Sequence, residues 1–175
     1  MPLSLASRWA KRHYSEVHHW WRRRSDKRDW LTGLPGRKAF EADARRRAAT
    51  HIAYINLDHF KAFNDELGMS IGDIVLEPVA RHCKAIPRRA ARVYRLGGNE
   101  FVLVTTEPKA ETVALLSALR EEIRQPNPQF GGLTMTATAG VVVIGPGEPW
   151  EEALERAFDR FEIERLAGTD RHNKP

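Results

Sequence analysis

The distribution of apolar and polar residues divides the chain into strands and helices. Residues 51–57 are rich in β-forming side chains and predict a buried strand. Within residues 91–106, two apolar runs flank a Gly-Gly pair, which is typical of a β-hairpin. The Thr-rich alternation of residues 133–144 predicts the last strand. Five further segments have helical composition and end at turn-forming or polar residues: 37–48, 58–67, 73–86, 108–124 and 150–167.

The order of these elements predicts the architecture. A strand, helices, a hairpin, a helix and a strand make a βαββαβ unit. We therefore expect an α+β fold of the ferredoxin-like or polymerase-palm kind, with a mainly antiparallel sheet and helices packed on one face. In such a sheet the end of the first strand lies beside the central hairpin turn. Residues 56–58 and 98–100 are thus expected to face one another.

The first 28 residues differ from the rest of the chain in charge. They hold eight Lys or Arg residues and two acids, whereas residues 29–175 hold twenty basic and twenty-one acidic residues. The spacing of Leu5, Trp9, Val17 and Trp21 predicts a helix with one apolar face. We divide the chain into this basic, aromatic extension at 1–28 and a domain at 29–175.

The extension is too short to be stable as an isolated helix, so it is expected to dock on another surface. Three surfaces stay open: its own domain or a protein partner, including a second copy of the chain; a membrane surface, which Trp and Arg suit; and nucleic acid.

Composition limits the location of the protein. The only cysteine, Cys83, excludes an internal disulfide and fits a reducing compartment. The sequence has no apolar run long enough for a membrane span and no secretory signal pattern. These features predict a cytoplasmic location.

Three motifs occur in the order and spacing of one known family. Asp29-Trp-Leu-Thr-Gly-Leu-Pro-Gly-Arg37 resembles D-x-L-T-G-L-x-N-R. Asn56-Leu-Asp-His-Phe-Lys-Ala-Phe-Asn-Asp65, followed by Gly68 and Gly72-Asp73, resembles D-x-D-x-F-K-x-x-N-D…G…G-D. Arg95-Leu-Gly-Gly-Asn-Glu-Phe101 resembles the family signature itself. Over about residues 29–173 the chain is similar to the GGDEF family of diguanylate cyclases.

The resemblance implies an activity and a nucleotide site. Members condense two GTP molecules into cyclic di-GMP, with one GTP on each half of a dimer. By position, Asn64 and Asp73 match residues that hydrogen-bond guanine, for which an amide and a carboxylate are suitable partners. Alone, these two residues would be interpreted as helix caps. Further positions match the phosphate-binding turn, the signature turn and phosphate-binding cations: Phe60, Lys61, Gly97, Gly98, Arg165 and Arg171.

The chain departs from the family at both metal-binding positions, which are Asn56 and Asn99. An amide oxygen is a poorer Mg²⁺ ligand than a carboxylate, and metal-bound charge lowers the barrier of phosphoryl transfer. Glu100 is retained, but strand alternation is expected to point it away from Asn99. Asp58 remains a weak candidate for holding one ion. Glu162 also stands where the family has an aromatic residue.

These departures favour a GGDEF-like domain that is catalytically inactive and acts as a guanine-nucleotide-sensing or protein-interaction module. No catalytic or metal-binding residue is expected, and no cofactor is required beyond Mg²⁺ accompanying any bound GTP. One alternative is a residual diguanylate cyclase that uses Asp58 or a partner's carboxylate. The other is a nucleic-acid or membrane-surface adaptor acting through residues 1–28.

Overall fold

The computed structural model describes residues 28–46, 49–61, 64, 69–87, 89, 91–125 and 134–172. The side chains of 69–74 and 169–172 fall outside this description. The helix predicted in the N-terminal extension and most of the helix predicted at 58–67 also lie outside the described residues.

Four strands form one sheet in the described part of the chain, with the spatial order β2-β3-β1-β4. All neighbouring pairs are antiparallel. The strands are β1 (His51–Leu57), β2 (Ala91–Gly97), β3 (Glu100–Thr105) and β4 (Ala137–Val143). The helices are α1 (Arg37–Ala44), α2 (Met69–Ala85), α3 (Lys109–Arg124) and α4 (Trp150–His172). This arrangement confirms the predicted α+β fold.

Some boundaries differ from those predicted. Helix α2 begins before residue 73 and contains Pro78. Strand β4 is shorter than the segment 133–144, and α4 continues beyond residue 167. Within the described residues, no helix combines the length and the apolar composition that crossing a bilayer requires.

Helices cover both faces of the sheet, so the expectation of helices on one face was wrong. Ala53, Ile55 and Leu57 of β1 point to a core that includes residues of α2 and α3. Ile52 and Tyr54 point to a second core with residues of α1 and α4. Because β1 is apolar on both faces, each face needs a cover to exclude water.

Gly140 fixes the position of α4 against β4. A Cβ atom at Gly140 would lie 2.1 Å from the Ala157 carbonyl oxygen and 2.2 Å from the Phe161 nitrogen. Only glycine permits this approach of helix to strand. Tyr54 then packs edge-on against Phe158, with ring centroids 5.2 Å apart. The later turns of α4, which carry Glu162 and Arg165, thereby come to the end of β1 that faces the hairpin.

Candidate functional site

The hairpin turn joins β2 to β3 through two glycines, as predicted. Gly97 and Gly98 have φ angles of 147° and 49°, which other residues rarely adopt. The register shifts between Arg95 and Gly97, so the strand bulges before the turn. A Cβ at Gly98 would meet no atom within 4 Å, so its backbone angle, and not lack of space, requires glycine.

A buried ion pair connects this turn to the opening motif. Arg95 is 8% exposed, and its Nη1 donates to Asp29 Oδ1 at 2.7 Å. Its Nε and Nη2 both donate to the Gly98 carbonyl, at 3.1 and 2.7 Å. Burial raises the pKa of Asp29, but hydrogen bonds from the Thr32 side chain and backbone, together with the Arg95 charge, outweigh burial and lower it. The pair holds the turn in place, and no pattern in the sequence indicates it, because its two residues are 66 positions apart.

The two asparagines at the family's metal positions bond to each other. Asn99 Nδ2 donates to Asn56 Oδ1 at 2.7 Å and to the Leu57 carbonyl at 2.9 Å. The Leu57 nitrogen donates back to the Asn99 carbonyl at 3.2 Å. The end of β1 therefore faces the hairpin turn, as expected from topology. Both amide hydrogens of Asn99 are used within the protein.

Glu100 lies on the same face of the sheet as Asn56, which contradicts the expectation that it points away from this site. The two residues are cross-strand partners in the β1–β3 register. Strand alternation does not apply to Asn99, because it belongs to the turn. The Glu100 carboxylate accepts a hydrogen bond of 2.6 Å from the Tyr54 hydroxyl. Burial of Tyr54, reinforced by the Glu100 charge, raises the pKa of that hydroxyl.

Asp58 is held by hydroxyl groups that precede and enter β4. Thr136 Oγ1 donates to Asp58 Oδ2 at 2.7 Å, and Thr138 Oγ1 donates to Asp58 Oδ1 at 2.8 Å. The Asp58 nitrogen also donates to the Thr136 carbonyl at 2.9 Å. Both carboxylate oxygens are therefore engaged by protein donors.

The donor set does not fit the divalent metal that the family implies. Mg²⁺ is usually held by one or two carboxylates together with substrate phosphates. Here Asn56 and Asn99 are neutral and bonded to each other, while Asp58 and Glu100 have partners of their own. Among the described residues, there is no group of three or more His, Cys, Asp or Glu side chains that could hold a metal.

The positions matched to nucleotide binding differ in their surroundings. The Phe60 side chain packs in the core, so only its backbone faces outward, whereas Lys61 is exposed. His59 has a left-handed φ of 55°, which turns the chain sharply after β1. Asn64 Oδ1 is buried and has no hydrogen-bond partner among the described residues. The side chains of Asp73 and Arg171 lie outside the described residues.

Arg165 forms a two-point ion pair on α4. Its Nε and Nη2 donate to Glu162 Oε1 and Oε2, at 3.2 and 2.8 Å. These hydrogen bonds raise the pKa of the guanidinium, and the charges of Glu162 and Asp58 add to the effect. The cation therefore faces the site with a carboxylate already bound to it.

A βαββαβ sheet whose Gly-Gly hairpin faces the end of β1 defines a palm-like α+β domain. The sequence matches the family model described as Diguanylate cyclase, GGDEF domain, over residues 26–171. The chain belongs to the GGDEF family.

Relatives and solved structures agree with this assignment. Diguanylate cyclase DgcP of Pseudomonas aeruginosa is 33% identical over 154 residues, which are 82% of this chain and 23% of that protein. Diguanylate cyclase SiaD of Pseudomonas aeruginosa, solved with its activator SiaC, has a TM-score of 0.76 and 26% identity, covering 93% of this chain and 67% of SiaD. The GGDEF domain of DgcB from Caulobacter crescentus, solved with c-di-GMP, has a TM-score of 0.74 and 29% identity, covering 83% of this chain and 94% of that domain.

Proposed function

We propose that this GGDEF domain binds a guanine nucleotide without converting it and acts as a regulatory module. The hydrogen bond between Asn99 and Asn56 carries the proposal. It lies at the two positions where the family places its metal-binding carboxylates. Two amides bonded to each other leave the negative charge of a triphosphate uncompensated, and charge compensation is central to phosphoryl transfer.

The neighbouring acids support an inactive site. Glu100 accepts from Tyr54, and Asp58 accepts from two threonine hydroxyls. A metal ion would have to displace these donors or share the same oxygens with them. The residual-cyclase alternative requires Asp58 or a partner's carboxylate to bind metal, and the engaged oxygens of Asp58 argue against the first of these routes.

Asn64 supports retention of guanine binding. A buried polar atom without a partner costs about 1–3 kcal/mol, and a ligand that supplies the missing hydrogen bond recovers this free energy. The free atom of Asn64 is an acceptor, and the Watson–Crick edge of guanine presents N–H donors. Asn64 lies on the connection between β1 and α2, five residues after the sharp turn at His59.

The proposed readout is a protein partner. SiaD was solved with an activator protein and the DgcB domain with c-di-GMP, so both kinds of ligand occur on related proteins. We extend this to the present chain and place it in the cytoplasm, where guanine nucleotides are available. The basic extension at 1–28 is the proposed contact for that partner or for a second copy.

Calorimetry and a turnover assay test the proposal together. We expect the full chain to bind at least one of GTP, GDP and cyclic di-GMP, and Asn64→Ala to weaken that binding by about tenfold. We expect no conversion of GTP with Mg²⁺ or Mn²⁺. Absence of binding at millimolar ligand would refute nucleotide binding and leave a domain that acts only through protein contacts. Turnover that disappears in Asp58→Ala would establish a residual cyclase.

A further inference from the structure

The polar side chains around the hairpin share one property: each already has a hydrogen-bond partner inside the protein. Glu100 is bonded to Tyr54, both oxygens of Asp58 are bonded to threonine hydroxyls, and the guanidinium of Arg165 is bonded to Glu162. The Asn56 and Asn99 amides bond to each other. A ligand phosphate at this end of β1 therefore meets a cation that already has a carboxylate bound to it.

The charge of this region also disfavours phosphates. Among the residues that the structure describes near β1 and α4, three carboxylates, those of Asp58, Glu100 and Glu162, accompany two cations, Arg165 and the exposed Lys61. The Glu162–Arg165 pair is about half exposed, with side-chain exposures of 36% and 47%. Each additional phosphate of a nucleotide adds negative charge beside these groups, among which carboxylates already outnumber cations.

Asn64, which lies on the connection between β1 and α2, presents the opposite situation. Its buried Oδ1 lacks a partner, so a ligand that brings a donor gains a hydrogen bond there without displacing one. Free hydrogen-bonding capacity thus exists at Asn64, the position that matches a guanine-binding residue of the family, whereas the groups near the hairpin offer little of it to a polyphosphate.

We propose that this site recognises the guanine base and not the polyphosphate, so that its ligand is guanosine or guanosine monophosphate. The inference rests on the proposed function and makes it more specific, because Glu162 is ion-paired with Arg165, the cation that matches a phosphate-binding position of the family. Phosphates beyond the first are predicted to add no affinity.

Calorimetry of the full chain with guanosine, GMP, GDP and GTP tests the inference, each titrated in EDTA and in Mg²⁺. We expect guanosine or GMP to bind at least as tightly as GTP in both buffers. Binding of GTP about tenfold tighter than GMP would overturn this inference while leaving the proposed function intact. Binding of none of the four at millimolar concentration would overturn this inference, and the proposed function falls with it if cyclic di-GMP also fails to bind.

Two variants on α4 test whether the Glu162–Arg165 ion pair is the reason that additional phosphates add no affinity. Glu162→Gln releases Arg165 and should raise the affinity for GTP relative to GMP by about threefold to tenfold. Glu164→Gln is the matched control: it removes the same charge from α4, but its partner is Arg160, at 2.6 Å. We expect the control to leave the GTP-to-GMP ratio unchanged. An equal change of the ratio in both variants, or no change in either, would contradict the role assigned to Glu162.

Discussion

Replacing both asparagines by aspartate is the sharpest perturbation of the hairpin site. Asn99 Nδ2 lies 2.7 Å from Asn56 Oδ1, so Asn56→Asp with Asn99→Asp brings two carboxylates into contact. Two like charges 4 Å apart repel by about 4 kcal/mol at an effective dielectric constant of 20. The lost hydrogen bond adds about 1 kcal/mol. Both positions are partly exposed, so we expect a net destabilisation of about 2–4 kcal/mol after screening.

Thermal unfolding followed by circular dichroism measures this change. For a domain of this size each kcal/mol shifts Tm by about 2–4 °C, so the double variant should melt roughly 5–15 °C below wild type in EDTA. Mn²⁺ or Mg²⁺ should recover much of the loss by binding between the carboxylates. The wild-type Tm should not respond to either ion.

The single variant Asn56→Asp is the internal control. An aspartate at this position still offers an acceptor to the Asn99 amide, so its Tm should stay near that of wild type. The reasoning fails if the double variant melts within about 2 °C of wild type in EDTA and is unchanged by metal, since the two side chains then do not face each other.

Three further predictions concern the scaffold of the site. Asp29→Asn should lower the free energy of unfolding by about 3 kcal/mol at pH 7, because it leaves buried Arg95 unpaired. The pKa of Asp29 is lowered in the native protein, so wild type has this extra stability at pH values above the carboxyl's ordinary pKa of 3.8. It loses the stability as pH falls through the lower native pKa. Denaturation curves of the two proteins should therefore converge in acid. Gly140→Ala should destabilise the fold by more than about 3 kcal/mol in urea unfolding. Gly36→Ala is the control and should be tolerated, because the nearest atom to its new Cβ, the Asp29 nitrogen, would be 3.8 Å away. Burial raises the pKa of Cys83 to about 12, so its thiol should react with a disulfide reagent only after unfolding; reaction of the native protein at the rate of a free thiol would contradict the buried position.

Local patterns explain why much of the fold could be predicted. The segment 51–57 is largely apolar and rich in β-forming residues, which predicts a buried strand. The glycine pair between two apolar runs predicts the hairpin, because its turn needs positive φ angles. The prediction missed that helices cover both faces of the sheet, although the residues of β1 that point to each face are apolar. The helix α4 can pack on the second face only because Gly140 lacks a side chain, which is a tertiary contact. The periodicity of apolar residues along the sequence does not indicate such a contact.

The site was predictable to the extent that topology decides it. The order of the strands brings Asn56 beside Asn99, as expected. Which hydrogen bonds form there depends on side-chain geometry, as with Tyr54 and Glu100, which are 46 residues apart. The partner of Asp58 is farther still, since Thr138 lies 80 residues along the chain. No spacing in the sequence indicates such contacts.

Conversion of GTP to cyclic di-GMP by the purified chain, measured by chromatography with Mg²⁺ and with Mn²⁺, tests the central claim most directly. The two asparagines bonded to each other predict no product above that of a reaction without protein, and product from the double aspartate variant. Product from wild type that scales with protein concentration and survives repurification would contradict the claim that this domain binds nucleotide without converting it.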